Sequence, residues 1–72
     1  MGSYWSRESG NSWILRLNQP QGIVMTIARV YPIQAGGYIA HVMAPITEVQ
    51  WCESEEEGKA WAEVIARLEG LK

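Results

Sequence analysis

The stretch IVMTIARV, residues 23–30, decides how the fold of this chain is interpreted. Its length and its content of Val, Ile and Thr predict a β-strand. A strand that is buried on one side only alternates between apolar and polar residues, because successive side chains point to opposite faces. Here both sets of positions are mainly apolar, with Ile23, Met25 and Ile27 on one side and Val24, Ala28 and Val30 on the other. The sequence therefore predicts apolar surface on both faces of the sheet, of which one helix can cover only one.

The composition is that of one small globular domain. The chain has 72 residues, of which 47% are hydrophobic, and a formal net charge of −2. Charged and polar residues interrupt its apolar runs, so no membrane span is predicted, and the first residues lack the apolar core of a secretory signal. We expect a cytoplasmic protein. The single cysteine, Cys52, excludes an intramolecular disulfide.

Turn residues divide the chain into predicted elements. Residues 1–11 are rich in Ser and Gly and are predicted to be a flexible N-terminal arm, followed by one domain at residues 12–72. Four strands are predicted, separated by NQPQG (18–22), IQAGG (33–37) and a turn at Pro45. The predicted fold is α+β, a four-stranded antiparallel β-meander with one C-terminal helix packed on one face (ββββα).

The helix is predicted from its capping signals. Ser54 and Glu57 have the spacing of a capping box, and Gly70 is the predicted C-terminal cap. Gly58 is predicted to let the helix approach the sheet. The predicted apolar stripe consists of Trp61, Val64, Ile65 and Leu68.

A hairpin that turns at Pro45 and Ile46 predicts pairing of Val42 with Val49. With this register Val49 and Trp51 face the helix, together with Val24, Ala28 and Val30. The opposite face, called the helix-free face below, then has an apolar centre and a polar rim. Its predicted interface residues are Ile14, Met25, Ile27, Ile39 and Met43 in the centre and Arg29, His41 and Glu48 on the rim.

This anatomy favours a non-enzymatic interaction module that binds a protein partner and forms a homodimer through the helix-free face. Coverage of the face by Tyr4 and Trp5 of the arm is the alternative. His41 and Cys52 are diagonal neighbours in the predicted register, but a nucleophilic site also needs an orienting group and a cleft. We therefore predict no catalytic residue. No metal or cofactor site is predicted either, since the acidic run at 53–57 is explained by helix capping.

Single-stranded nucleic acid is the alternative ligand. Four strands followed by a helix is the element order of the PC4-like and whirly single-strand DNA binders, a likeness of order without any shared motif. Such sheets stack bases on exposed aromatic residues over a basic surface. This function requires Tyr31, Tyr4 or Trp5 to line up with Arg16 and Arg29.

The segments GIVMTIARVYPIQAGGYIAHV (22–42) and SEEEGKAWAEVIARL (54–68) resemble the small phage, prophage and mobile-element proteins. In those proteins a glycine-linked strand meander is followed by an acidic-capped helix. The resemblance implies binding of a host or phage protein, as the anti-CRISPR inhibitors do, and a location in the bacterial cytoplasm. It implies no functional residue.

Overall fold

The computed structural model describes residues 2–8, 10–44 and 46–68, with the backbone alone for Arg67 and Leu68. The predicted turn position Pro45 and the predicted cap Gly70 lie outside these residues. Within them, no helix combines the length and the apolar character that crossing a bilayer requires.

An antiparallel sheet and one C-terminal helix make up the described fold. The strands follow one another across the sheet in chain order, so the sheet is a meander. The predicted α+β class is confirmed, and the predicted number of four strands is corrected to five. The elements are β1 (Ser3–Arg7), β2 (Trp13–Asn18), β3 (Val24–Pro32), β4 (Tyr38–Val42), β5 (Glu48–Cys52) and α1 (Glu55–Leu68).

Strand β1 comes from the segment that was predicted to be an arm outside the sheet. It pairs with β2, which places Trp5 beside Leu15 on the side of the helix. The Trp5 indole N–H donates a hydrogen bond of 2.7 Å to the Glu63 carboxylate of α1. The Lys59 ammonium lies 5.6 Å from the ring centroid of Trp5 and 3.4 Å from that of Trp13. Contacts with the helix therefore hold β1 in the sheet.

A β-bulge interrupts the pairing of β2 with β3. Leu15 pairs with Ala28, but the next residue, Arg16, pairs with Thr26, so Ile27 is an extra residue in β3. In a bulge two residues of one strand oppose one residue of the other, and the alternation of side chains shifts. Ile27 is 1% exposed and packs in the helix-side core with Leu15 and Ala28.

The bulge explains why residues 23–30 are apolar at both odd and even positions. Before the bulge, Met25 pairs with Leu17 and packs against the helix-side core. After the bulge, Ala28 and Val30 face the helix and are fully buried. The strand changes its parity midway, so much of its apolar pattern serves one core. Val24, predicted to face the helix, is 44% exposed on the other side.

The pairing of β4 with β5 differs from the predicted register by one residue. Val42 lies opposite Glu48 and not opposite Val49. Because side chains alternate with a period of two, this shift moves every β5 side chain to the other face. Val49 and Trp51 consequently lie on the helix-free face, where they are 56% and 51% exposed.

The predicted N-terminus of α1 is confirmed with one difference in its bonding. The Glu57 N–H donates a 3.1 Å hydrogen bond to the Ser54 hydroxyl, as an N-cap requires. The Glu57 carboxylate accepts a hydrogen bond of 2.7 Å from the backbone of Glu53, the residue before the cap. Both bonds satisfy N–H groups that precede or begin the helix.

Small residues let α1 lie close to β3, β4 and β5. Gly58, Ala62 and Ala66 are buried at intervals of four residues along the helix. A Cβ built on Gly58 would lie 3.0 Å from the Cγ1 atom of Val30, which confirms the predicted close approach. Val64, predicted to be in the buried stripe, is 49% exposed, and the side chain of Leu68 lies outside the described part.

Candidate functional site

The helix-free face is defined by side chains that pair across the five strands. Directly paired residues of antiparallel strands place their side chains on the same side of the sheet. The central row of this face crosses all five strands and consists of Ser6, Ile14, Arg29, His41 and Val49. The flanking rows are Tyr4, Arg16 and Thr26 on one side and Tyr31, Ile39 and Trp51 on the other.

Trp51 is an exposed aromatic ring that the β3–β4 turn holds in place. Its indole N–H donates a 3.0 Å hydrogen bond to the carbonyl of Gly36. Gly37 lies against the ring with a φ of +85°, and a Cβ on this residue would be 2.5 Å from indole atoms. Only glycine fits there without a shift of the turn or the ring. The ring is thus oriented before any ligand arrives, and its polar atom is already bonded.

Tyrosines stand near the arginines on the same face. Tyr4 pairs directly with Arg16, and Tyr31 lies two residues beyond Arg29 on β3. Tyr4 is 42% exposed, whereas Tyr31 is half-buried. The Nε atom of Arg16 is buried and has no hydrogen-bond partner among the described residues. An unpaired buried donor is unfavourable until it finds an acceptor.

Charge is divided between the two layers of the molecule. Among the described strand positions, the helix-free face holds Arg16 and Arg29 and no carboxylate. Glu8, in the β1–β2 turn, approaches Arg29 with an N–O distance of 3.6 Å, an exposed pair worth little. The first turn of α1 has three glutamates, which lie on the opposite layer. The net negative charge of the chain therefore differs in sign from the charge of the strand residues on the helix-free face.

Two of the five residues predicted for the apolar centre of this face lie on the other side of the sheet. Met25 and Ile27 belong to the helix-side core because of the bulge. Ile14 lies on the helix-free face but is only 3% exposed, so neighbouring side chains on that face must cover it. Ile39 is half-buried on this face, and Met43 is half-buried just beyond the end of β4.

The structure places two of the three predicted rim residues on the helix-free face. Arg29 and His41 pair with each other on the helix-free face. Glu48 pairs with Val42, whose side chain is buried in the helix-side core, so its position is on the other face. Trp5, one of the aromatic residues considered for nucleic-acid binding, also lies on the helix side.

His41 and Cys52 are not neighbours, because they lie on opposite faces. The Cys52 thiol is 3% exposed and packs with Val30 and Ala40 below the helix. Burial raises the pKa of the Cys52 thiol from its ordinary value of 9.0, and the nearby Glu57 carboxylate raises it further. Both causes favour the protonated thiol, which is a poor nucleophile. No cluster of three or more metal-ligating side chains occurs in the part of the chain that the structure describes.

Val24, Val49 and Trp51 lie on the helix-free face, although the sequence pattern predicts that they face the helix. The alternation of ITEVQWC already put Val49 and Trp51 on one face together, but only the register with β4 decides which face.

Comparisons of the chain with protein-family models, with curated proteins and with solved structures gave no match.

Proposed function

We propose that the protein is a non-enzymatic binding module that holds single-stranded nucleic acid across its helix-free face. The observation that carries the proposal is the arrangement of three aromatic and two arginine side chains on one face of the sheet. They are Tyr4, Tyr31, Trp51, Arg16 and Arg29. Proteins that bind single strands combine aromatic stacking platforms with cations that follow the backbone.

The dimensions of the face suit a short single strand. Trp51 is on β5 and Tyr4 is on β1, four strand spacings away, which is about 19 Å at about 4.8 Å per spacing. Sites in single-strand-binding domains accommodate about 4–16 nucleotides. The fixed ring of Trp51 loses little conformational freedom when a base stacks on it, and this favours binding.

The charge distribution supports the same ligand. A polyanion meets Arg16 and Arg29 on the helix-free face, while the glutamates of α1 lie behind the sheet. Duplex DNA hides the faces of its bases, so we expect the single strand to bind more tightly than the duplex.

A protein partner is the second candidate, as the resemblance to small phage and mobile-element proteins also implies. Two side chains that were predicted to form the apolar centre of the helix-free face, Met25 and Ile27, pack beneath the helix. What favours this candidate now is the exposure of Val49 and Trp51 at the edge of the sheet.

Fluorescence anisotropy with a labelled single-stranded oligonucleotide of about 12 nucleotides tests the proposal. We expect binding that weakens with salt, with a slope of log K against log salt near about −1.4, because two arginines each neutralise one phosphate. The unlabelled duplex of the same sequence should compete poorly. Absence of binding at low salt, or an affinity that salt does not change, contradicts the proposal.

Matched variants distinguish the effect of arginines on the helix-free face from the effect of removing any positive charge from the protein. Exchange of Arg16 and Arg29 for Gln should weaken binding and flatten the salt slope. Arg7→Gln is the control, because Arg7 is an exposed arginine whose guanidinium lies over Trp13, 5.4 Å from the ring centroid, on the helix side. Trp51→Leu should reduce affinity by about 5- to 150-fold, the equivalent of losing one stacked base. Equal effects of Arg7→Gln and the Arg16 and Arg29 exchanges would place binding elsewhere.

A further inference from the structure

Strand β5 is an outer strand of the sheet, and in the part of the chain that the structure describes it has few of the features that protect such edges. Natural edge strands carry Pro, Lys or a bulge, or they are covered by another segment. β5 has the sequence EVQWC, whose one charged residue, Glu48, lies on the helix side; it contains no Pro or Lys and pairs with β4 without a register shift. Val49 and Trp51 are 56% and 51% exposed on its helix-free side. The other outer strand, β1, is tied to α1 through Trp5 and Glu63.

The flank of α1 above this edge is apolar as well. Lys59 and Glu63 contact the tryptophans of β2 and β1, so their flank of the helix points away from β5. Glu57 lies on the other flank, close enough to Cys52 of β5 to raise the pKa of its thiol. Val64 follows Glu57 by seven residues, about two turns, and therefore lies on the same flank. It is 49% exposed.

We infer that this edge pairs antiparallel with β5 of a second copy of the chain, with Gln50 on the two-fold axis. This register places Val49 of one protomer opposite Trp51 of the other, and both side chains lie on the same face. Aromatic and β-branched residues are a favourable cross-strand pair. The two sheets become one continuous ten-stranded sheet, and the inference stands independently of the proposed nucleic-acid ligand.

The helices leave room for this pairing. α1 packs chiefly over β4, and β4 and its copy would be three strand spacings apart, or about 14 Å. Packed helices approach to about 8–10 Å, so the two copies of α1 do not collide. The space between them is bordered by Val64 from each protomer.

The two arginines of the helix-free face disfavour self-association through that face. Two copies joined through their helix-free faces would bring the Arg16 and Arg29 side chains of one near those of the other, with only Glu8 of the β1–β2 turn as a carboxylate beside Arg29. Pairing at β5 leaves these arginines uncovered by the second copy, although Arg29 keeps its exposed ion pair with Glu8. An edge of five residues is about 17 Å long. An interface of this length that includes only the sheet and the helix above it has an area at the small end of specific interfaces. A weak, concentration-dependent dimer is therefore expected.

Sedimentation equilibrium of the full chain, without nucleic acid, over concentrations up to about 1 mM tests the inference. The wild type should pass from monomer to dimer. Val49→Lys introduces the protective lysine of natural edges and should keep the protein monomeric. Val24→Lys is the control, since Val24 is a similarly exposed valine on the same face of β3; it should dimerise like the wild type. Circular dichroism melting checks that both variants fold.

Each outcome decides the inference. A wild type that stays monomeric throughout overturns it. Equal loss of dimer in Val49→Lys and Val24→Lys assigns self-association to the helix-free face and overturns pairing at the β5 edge.

In a Cys52→Ala background, Gln50→Cys should form a disulfide across the two-fold axis, because directly opposed residues have suitable spacing. Thr47→Cys, also exposed, should not, and the reverse result overturns the register. Since nucleic acid is absent, failure here leaves the proposed function intact.

Discussion

Ile27→Ala tests the bulge, because Ile27 would lie on the helix-free face with Arg29 if β3 were regular. The substitution removes three carbon atoms from a side chain that is 1% exposed. At about 0.8 kcal/mol for each buried CH₂, the transfer contribution alone is about 2.4 kcal/mol. The cavity adds to it, so the expected loss in the free energy of unfolding is about 3–4 kcal/mol. A domain of this length is stable by about 4–11 kcal/mol in total.

Ile23→Ala is the matched control, since it makes the same chemical change four residues earlier. Ile23 is 60% exposed, so less than half of the transfer contribution applies, or about 1 kcal/mol. Urea unfolding should be followed by circular dichroism and by the fluorescence of the four tryptophans. In thermal melts we expect a melting temperature lower by about 12–32 °C for Ile27→Ala, at about 4–8 °C for each kcal/mol lost. Losses within about 0.5 kcal/mol of each other in the two variants would refute the placement of Ile27 in the helix-side core.

Three further predictions concern the helix cap, the β3–β4 turn and the buried thiol. Ser54→Ala should lower the free energy of unfolding by about 1 kcal/mol in urea titrations, because the first turn loses its cap. Gly37→Ala should destabilise by more than Gly36→Ala in the same assay: both glycines have positive φ, but only at Gly37 would a Cβ meet Trp51. Stability should fall as the pH rises above 9.0, the ordinary pKa of the Cys52 thiol, since the unfolded thiol then loses its proton while the folded one, whose pKa is raised, keeps it. The pH series for Cys52→Ala should lack this part of the decline, and an unchanged decline would exclude Cys52 as its source.

Local signals in the sequence were sufficient to predict the helix and the antiparallel meander. The cap at Ser54 and the close approach at Gly58 depend on a few neighbouring residues and on the lack of a side chain. Strand β1 was not recognised, because the segment SYWSR is short and polar and its anchor, Glu63, is 58 residues away. Such a contact leaves no periodic pattern in the sequence.

The composition of the helix-free face depended on two features that periodicity does not fix. One extra residue in β3 moved Met25 and Ile27 from the predicted surface into the core. A shift of one residue between β4 and β5 moved Val49 and Trp51 from the predicted helix side to the helix-free face. Both errors concern strand register, where a single residue reverses every side chain that follows. Arg29, His41 and Ile39 lie between these two features and were placed correctly.

The hydrogen bond between Trp5 and Glu63 has a consequence for the order in which the protein folds during synthesis. The ribosome makes β1 first, but the residue that anchors it is made 58 positions later. The hairpins between β2 and β5 join residues close in sequence and can form early, and so can the hairpin of β1 with β2, whereas the bond from Trp5 must wait until α1 has left the ribosome. Until then the indole of Trp5 has no acceptor from α1, and β1 is held in the sheet by its pairing with β2 alone.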